Sequence, residues 1–533
     1  MTRRVVVESD VCIIGSGISA AMVADRLART TSARIVVVEA GDNTVPLTSR
    51  PAARERSLRY NENPWGHDHL EGYEVEGPLQ SRSMQVGGLA MHWGAVTPRF
   101  SPEDFKQRTL YNVGTDWPID YDELDPFYQE AEELMGVAGE QGPPDLDPRK
   151  KPFPMAALPL TYNLELLKAW AAKSGIPMWS QPSAKNSVAY RGRPQCCRND
   201  TCSPICPIGA KYSPDFTWNA LLGTKKIELM PRTLVRKLVL DDATKQISHA
   251  VAASFDKPDI PVEFRAKVFV VAAGYTWSSH LLLLSAQSGA PDGVANRSGL
   301  VGKYLSGHRN VGGYVDLPIR LYPGMNEQHS LVTKQFMRTR PGSRFIRHDL
   351  RVWESSVGKT ARLVDDSGAL MLGDAILDDW RKRTATGSAR VRAYYEVIPD
   401  RSSELTLDTA RKNQWGDPLP KLSFQDAPES VAERSATEDS IRTLFSEMAR
   451  AGRGKVLRTN VDNFQDHPAG GCRMGTDGAS SVVDSWGRTH DHENLFVVGA
   501  PTAVSGGCAN ATLTFCALAL RSTHEIERGL PKR

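Results

Sequence analysis

Apolar and polar positions along this chain repeat with two different periods, and the first forty residues already order themselves into elements. Val11-Cys12-Ile13-Ile14 is an unbroken apolar run, the pattern of a parallel strand buried on both faces. A short glycine turn, Gly15 to Ala20, comes next, then a helical stretch from Ala21 to Arg29 and a second apolar strand from Arg34 to Val38 that ends at Glu39. Similar buried strands recur far downstream. Ala266 to Gly274 precedes a helical pattern at Ser278 to Ser285, and Asn494 to Ala500 leads through Gly506-Gly507 and Asn510 into an apolar helix at Ala511 to Ala519. Strands of one sheet are thus expected at the start, middle and end of the chain, with other material inserted. Within the insertions, Tyr121 to Met135 reads as a helix, while Val391 to Val397 and Glu404 to Leu407 alternate as antiparallel strands do. Residues from about 339 to 386 predict no particular element, and no repeat of fixed period is present.

The opening strand, turn, helix, strand and acid carry chemistry as a unit. Gly15 permits the tight turn, Gly17 lets backbone approach a diphosphate, and Ala20 lets the helix pack on the sheet. The helix N-terminus presents unpaired N–H groups and the positive end of its dipole to that diphosphate. Glu39 is placed to accept hydrogen bonds from ribose hydroxyls. A bound dinucleotide is the expectation, and this segment alone suits NAD or FAD. A second turn, Gly87-Gly88 within Ser83 to Gly94, suits close approach to a flat ligand, with His92 and Trp93 in its tail. The expected fold class is α/β (α+β). A discontinuous Rossmann-like domain takes residues 1–105, 205–310 and 460–533, an insertion takes 106–204, and an antiparallel-sheet substrate domain takes 311–459.

Composition narrows the function classes. With 533 residues, 40% hydrophobic and 24% charged, the chain has the proportions of a globular enzyme of two to four lobes. Its 65 basic and 62 acidic residues nearly cancel and no basic tract stands out, so a nucleic-acid partner is not expected. No apolar run reaches the length of a transmembrane helix. Arg3-Arg4 hints at a twin-arginine export signal, but Glu8 and Asp10 interrupt what should be its apolar region, so no export signal of its own is expected. Four of the eight cysteines, Cys196, Cys197, Cys202 and Cys206, lie within eleven residues. Such clustering in a long chain points to a metal and not to a disulfide scaffold. Soft thiolates suit an iron–sulfur cluster. Zinc competes, although adjacent Cys196-Cys197 is awkward for a tetrahedral ion. Cys472, Cys508 and Cys516 sit in apolar or glycine-rich surroundings and are expected to be buried small side chains.

The Gly15 turn with Glu39, Gly87-Gly88 through Trp93, the strand ending at Gly274, the stretch His467-Pro468-Ala469-Gly470-Gly471-Cys472-Arg473-Met474-Gly475 and the closing Asn494 to Arg521 together resemble the glucose–methanol–choline (GMC) oxidoreductases. They span nearly the whole chain in order. A narrower resemblance, carried by Asp116 to Tyr121, Arg149 to Pro159 and Gly192 to Ala210, is to the catalytic subunits of bacterial FAD-dependent sugar and polyol dehydrogenases, such as those for glucose, sorbitol, gluconate and fructose.

That resemblance implies FAD, with Gly499 among its contacts, and a three-iron four-sulfur cluster on three of the four clustered cysteines. It implies His467 as the base for the substrate hydroxyl and Asn510 as its partner; the residues alone leave His467, before proline and a glycine turn, equally readable as structural. His92 poses a fork: a histidine in a similar stretch of pyranose oxidases is bonded to the flavin, whereas the cluster-containing dehydrogenases imply non-covalent FAD. The other histidines have no motif and are expected in core or surface roles. The resemblance further implies a small subunit carrying an export signal, a cytochrome c subunit or another electron acceptor, and a periplasmic, membrane-associated location through those partners; a cytoplasmic enzyme is the alternative. Rival functions are an oxygen-using oxidase of the pyranose-oxidase or glycoside 3-oxidising kind, and a binding protein that keeps the fold without catalysis. The particular sugar and carbon are not legible.

Overall fold

Five short strands make the sheet around which the molecule is organised. In spatial order they are Leu495–Val497, Val268–Val271, Val11–Ile14, Ile35–Val38 and Ile227–Met230, all parallel. The computed structural model describes residues 4–65, 83–322, 329–338, 345–355, 361–365 and 367–533; Arg3 of the arginine pair lies outside them. Central strands such as Val11–Ile14 and Ile35–Val38 are buried along their whole length, as parallel strands covered on both faces must be. The helix Ile18–Thr30 packs against Thr512–Ile526, which in turn packs against Tyr121–Met135. Tyr121–Met135 begins at a reciprocal cap in which Asp120 accepts from the Glu123 N–H at 2.9 Å and Glu123 accepts from the Asp120 N–H at 3.0 Å. A four-stranded sheet, Val5–Glu8, Pro261–Arg265, Ile247–Ser254 and Thr233–Leu240, extends this part of the molecule.

A six-stranded antiparallel sheet forms the second body. Its order is Lys455–Ala469, Ser306–Leu317, Gly387–Glu396, Leu350–Glu354, Leu331–Thr333 and Trp179–Ser180. Alternation divides its faces. Val311, Val315, Val352, Ala389, Val391 and Ala393 pack with Leu164 and Leu167 of helix Tyr162–Lys173 and with Ile441, Phe445 and Met448 of helix Pro428–Ala451. Residues of the opposite parity, Arg351, Trp353, Arg390, Arg392 and Tyr394, line a cavity between the two bodies.

Several details differ from the sequence pattern. The strands Ser306–Leu317 and Lys455–Ala469 run across positions 310 and 460, and Trp179–Ser180 from the insertion supplies the far edge, because hydrogen-bond pairing continues wherever a ladder partner lies alongside. The strand expected at Glu404 does not join this sheet; Glu404–Lys412 pairs with Pro418–Ser423 as a separate hairpin, with an isolated bridge from Glu404 to Lys303. The unassigned stretch contains the strand Leu350–Glu354 and the helix Asp374–Thr384, while 339–344, 356–360 and 366 lie outside the described residues. Arg347, fully buried, joins the bodies by pairing with Asp104 at 2.6 Å and Glu396 at 3.1 Å. Among the described residues no helix is long and apolar enough to cross a membrane.

Candidate active site

The cavity of about 740 Å³ starts at the glycine turn. Gly15 has φ of 99°, and a Cβ there would lie 2.7 Å from the Ala272 carbonyl oxygen, so both conformation and space demand glycine. Gly17 is different. Its φ is ordinary and a Cβ would meet no protein atom within 4 Å; the space such a Cβ would fill is the cavity itself. The helix that Gly17 precedes has no side-chain cap, which leaves its first N–H groups to a ligand. Glu39, buried, accepts from Ser16 N–H at 2.9 Å, Ser16 Oγ–H at 2.6 Å and Gly41 N–H at 2.8 Å. Burial pushes its carboxyl upward, and those hydrogen bonds oppose the shift. Gly88, His92, Trp93 and Gly274 line the same cavity. Gly87 donates its N–H to Ser16 Oγ at 3.1 Å, Ala20 is buried in the core beneath the turn, and Gly499 abuts Ser19. This cradle of bare backbone fits a dinucleotide.

At the other end of the cavity the structure brings together two residues 43 positions apart. Asn510 Nδ2 lies 2.8 Å from His467 Nε2. An amide nitrogen only donates, so Nε2 carries the lone pair and Nδ1 carries the proton. Nδ1 lies 2.9 Å from His308 Nε2, which accepts it. His308 thus leaves the core role expected of the unplaced histidines, because strand Ser306–Leu317 runs beside His467's own strand with a register shift at position 308. The shift re-aims the side chains there. His467 has φ of 49°, a left-handed conformation uncommon outside glycine and concentrated at functional sites. Asn510 Oδ1 is buried with no hydrogen-bond partner, an acceptor available to a ligand donor. Tyr394 packs against His308 with centroids 4.2 Å apart and ring planes inclined at 45°, and meets the His467 ring edge-on at 6.0 Å. No sequence motif marks His308 or Tyr394; the alternation Arg390, Arg392, Tyr394 marks a strand face without saying what it looks onto.

The clustered cysteines occupy a loop beside the His92 turn. Cys206 is buried, Cys196 and Cys202 are partly buried, and Cys197 is exposed. Burial pushes the Cys196 thiol up; the nearby Cys202 and Cys206 sulfurs add to this and the Arg198 N–H opposes it. These three sulfurs therefore share one electrostatic neighbourhood. They do not gather as ligands of a single ion would: among the described residues, the group of three or more donor atoms within 4.8 Å of one another is Asp104, Glu396 and Cys508, where Arg347 already supplies the counter-charge. A tetrahedral zinc with bonds of about 2.3 Å needs closer sulfurs. In a cluster each iron takes its own thiolate, so wider spacing fits. Lys211 joins this loop to the His92 turn. Its buried ammonium donates to the carbonyls of Met91 at 3.1 Å, Trp93 at 2.8 Å and Cys202 at 2.7 Å. Ser203 reaches the cavity wall. Cys472, Cys508 and Cys516 are buried, as their surroundings suggest.

A family profile described as GMC oxidoreductase matches residues 399–519. The fructose dehydrogenase large subunit of Gluconobacter japonicus is 32% identical over 97% of this chain and 97% of its own length. The 2-methyl-1,2-propanediol dehydrogenase of Mycolicibacterium austroafricanum is 28% identical over 98% and 95%. Among solved structures, pyridoxine 4-oxidase from Mesorbium loti superposes with a TM-score of 0.63 at 19% identity, covering 97% of this chain and 99% of that one, which bears on the fold. With end-to-end similarity of this kind, a backbone cradle for FAD and one cavity joining it to His467 and Asn510, the chain belongs to the GMC oxidoreductases, flavin enzymes that act on CH–OH groups.

Proposed function

We propose that this protein is an FAD-dependent dehydrogenase that oxidises a hydroxyl of a sugar, sugar acid or polyol and delivers the electrons to an external acceptor. The observation that carries this is the His467–Asn510 contact of 2.8 Å at the far end of the cavity that begins at the Gly15 turn. A substrate hydroxyl entering there takes the place of the amide on His467 Nε2. Asn510 then turns its N–H to the substrate oxygen and holds it against the base. His467 removes the hydroxyl proton, and the resulting imidazolium keeps its Nδ1–H on His308. FAD, when bound, accepts the hydride from the carbon. Tyr394, packed at an angle against His308 and edge-on to His467, supports the ring orientation of both histidines.

Cys196, Cys202 and Cys206 are the residues we assign to an iron–sulfur cluster of the three-iron four-sulfur kind, with Cys197 spare because it is the exposed member of the group. A cluster there would carry single electrons away from the flavin. The Lys211 ties and the cavity position of Ser203, next to Cys202, support a short path between the two sites. Electrons leaving singly call for a partner, so the assembly is proposed to include a small subunit bearing the export signal and a cytochrome c or quinone-linked acceptor, at the periplasmic face of the membrane. The name "large subunit" borne by the Gluconobacter relative supports such an assembly. FAD is assigned as non-covalent, with His92 lining the cavity near the ring.

The test is an absorption and low-temperature EPR spectrum of the anaerobically purified chain with iron and sulfide analysis. Flavin bands with about three irons per chain support the proposal. Flavin without iron or sulfide, together with stoichiometric peroxide from sugar turnover, overturns the electron-exporting reading in favour of an oxidase.

A further inference from the structure

One wall of the cavity has a feature that neither FAD nor the His467–Asn510 pair explains. Arg392 projects from strand Gly387–Glu396 into the cavity. Its guanidinium lies between two aromatic rings, 5.2 Å from the Trp353 centroid and 4.3 Å from the Tyr394 centroid. Among the described residues it forms no ion pair, and its Nε is buried without an acceptor. Asp349, a carboxylate that interacts with Arg392 electrostatically, is already hydrogen-bonded elsewhere. Asp349 Oδ2 binds Arg351 Nη2 at 2.6 Å and Nε at 2.7 Å, and Oδ1 accepts the Tyr394 N–H at 2.6 Å. Arg390, two residues earlier on the same face, lines the same wall with its guanidinium 4.9 Å from the Trp353 ring.

A guanidinium turned into a cavity without a counter-ion is costly unless the ligand supplies the charge. Aromatic faces on either side attract it and hold the plane of its fork fixed. That fixed fork matches the two oxygens of a carboxylate or phosphate, which a lysine would not reproduce. Position agrees with this. The Tyr394 ring, 4.3 Å from the Arg392 guanidinium, packs at an angle against His308 and meets His467 edge-on, so the guanidinium stands one aromatic ring away from the base. A hydroxylated chain of a few carbons bridges that gap with its anionic end on Arg392 and its reacting carbon at His467.

We propose that Arg392, with Arg390 beside it, is an anion subsite that selects a hydroxylated substrate bearing a carboxylate or phosphate group over its neutral counterpart. This rests on the reading above that the substrate hydroxyl lies at His467.

The experiment titrates the FAD-loaded enzyme with D-gluconate, D-glucose 6-phosphate and D-glucose by calorimetry, and measures kcat/KM for each with an artificial acceptor. At least one anion is expected to bind about tenfold more tightly than D-glucose, with the advantage shrinking as salt rises. Which anion shows it tells a carboxylate from a phosphate. In Arg392→Gln the anion-to-neutral ratio is expected to fall to about one, and in Arg392→Lys to an intermediate value. Equal binding of all three ligands, no binding of either anion, or a preference that survives Arg392→Gln would overturn the subsite. Should Arg392→Gln fail to fold, the wild-type ratio, its salt dependence and Arg392→Lys still decide. Turnover of D-glucose without anion preference sinks the subsite and leaves the dehydrogenase reading standing. Anion binding lost in Arg392→Gln, with no oxidation of any compound, does the reverse.

Discussion

Replacing His308 with leucine isolates the hydrogen bond behind the proposed base. His308 is fully buried, and leucine is close to histidine in volume, so the exchange opens little void. What it removes is the acceptor for His467 Nδ1–H at 2.9 Å. In the resting enzyme that bond joins two neutral rings. Once His467 has taken the substrate proton the same bond is charge-assisted, and hydrogen bonds to charged groups contribute about 1.5–3 kcal/mol. The loss therefore falls mainly on the transition state and corresponds to about 10- to 150-fold in kcat/KM. It also makes His467 less basic, so the acid limb of the pH profile moves down by about one to two units. Anaerobic stopped-flow reduction of the flavin between pH 5 and 9 reads both quantities. His308→Gln, which offers an amide oxygen at a similar reach, is expected to recover part of the rate. A His308→Leu enzyme with kcat/KM within about twofold of wild type and an unmoved acid limb would show that His308 only fills space, and the positioning argument would be wrong.

Gly17→Val is expected to fold with an unchanged sheet, since no protein atom stands near the added Cβ, yet to purify with little FAD; flavin absorbance against protein concentration checks this. Cys202→Ser and Cys206→Ser should lose iron and the EPR signal while Cys197→Ser, altering the exposed member, retains both by iron analysis. Burial holds His280 and His348 down to about 4 and His329 to about 3, below the 6.5 of the unfolded chain. The unfolded chain then binds more protons as pH falls below 6.5, so the stability these groups contribute is full above that value and declines by up to ~1.4 kcal/mol per pH unit for each histidine. Thermal unfolding should show Tm dropping between pH 6.5 and 4.5, with a shallower slope in His280→Gln, whose amide can still donate to the Pro418 carbonyl that His280 contacts at 2.7 Å. Arg347→Met strands Asp104 and Glu396 without their buried partner and is expected to cost about 3–5 kcal/mol, read as a large fall in Tm.

The nucleotide-binding sheet was legible because its central parallel strands, covered on both faces, are apolar throughout. Val11–Ile14, Ile35–Val38 and Val268–Val271 stand out as short runs ending at glycine or acid, and glycine itself is dictated by backbone geometry at Gly15. His467 and Asn510 were legible through the stretches around them, and the structure places them side by side. His308 was not, because its role depends on which strand lies next to His467, and a register set 159 residues away leaves no local mark. The same holds for Arg392: alternation tells that Arg390, Arg392 and Tyr394 share a face, but only the packing of helix Pro428–Ala451 on the other side decides that this face looks into the cavity. The Glu404 strand is antiparallel as its alternation suggests, but lies outside the six-stranded sheet for the converse reason. Its alternation is genuine, yet its partner is the next strand in the chain, and so it closes on itself as a hairpin.

The edge strand Leu495–Val497 hydrogen-bonds to Val268–Val271, and Asn510 lies beyond it. While the ribosome is still adding residues, therefore, the central sheet lacks one border and the cavity lacks one of its two chemical ends. Parallel pairings between segments so distant in sequence form late in folding. Cofactor capture is accordingly expected to wait until Leu495–Val497 and Asn510 have been made and have docked. A chain truncated anywhere before Leu495 is expected to leave the ribosome with the glycine turn intact and nothing able to hold a flavin against it. Such a fragment is expected to be a substrate for proteases, with no half-built enzyme left for later loading to rescue.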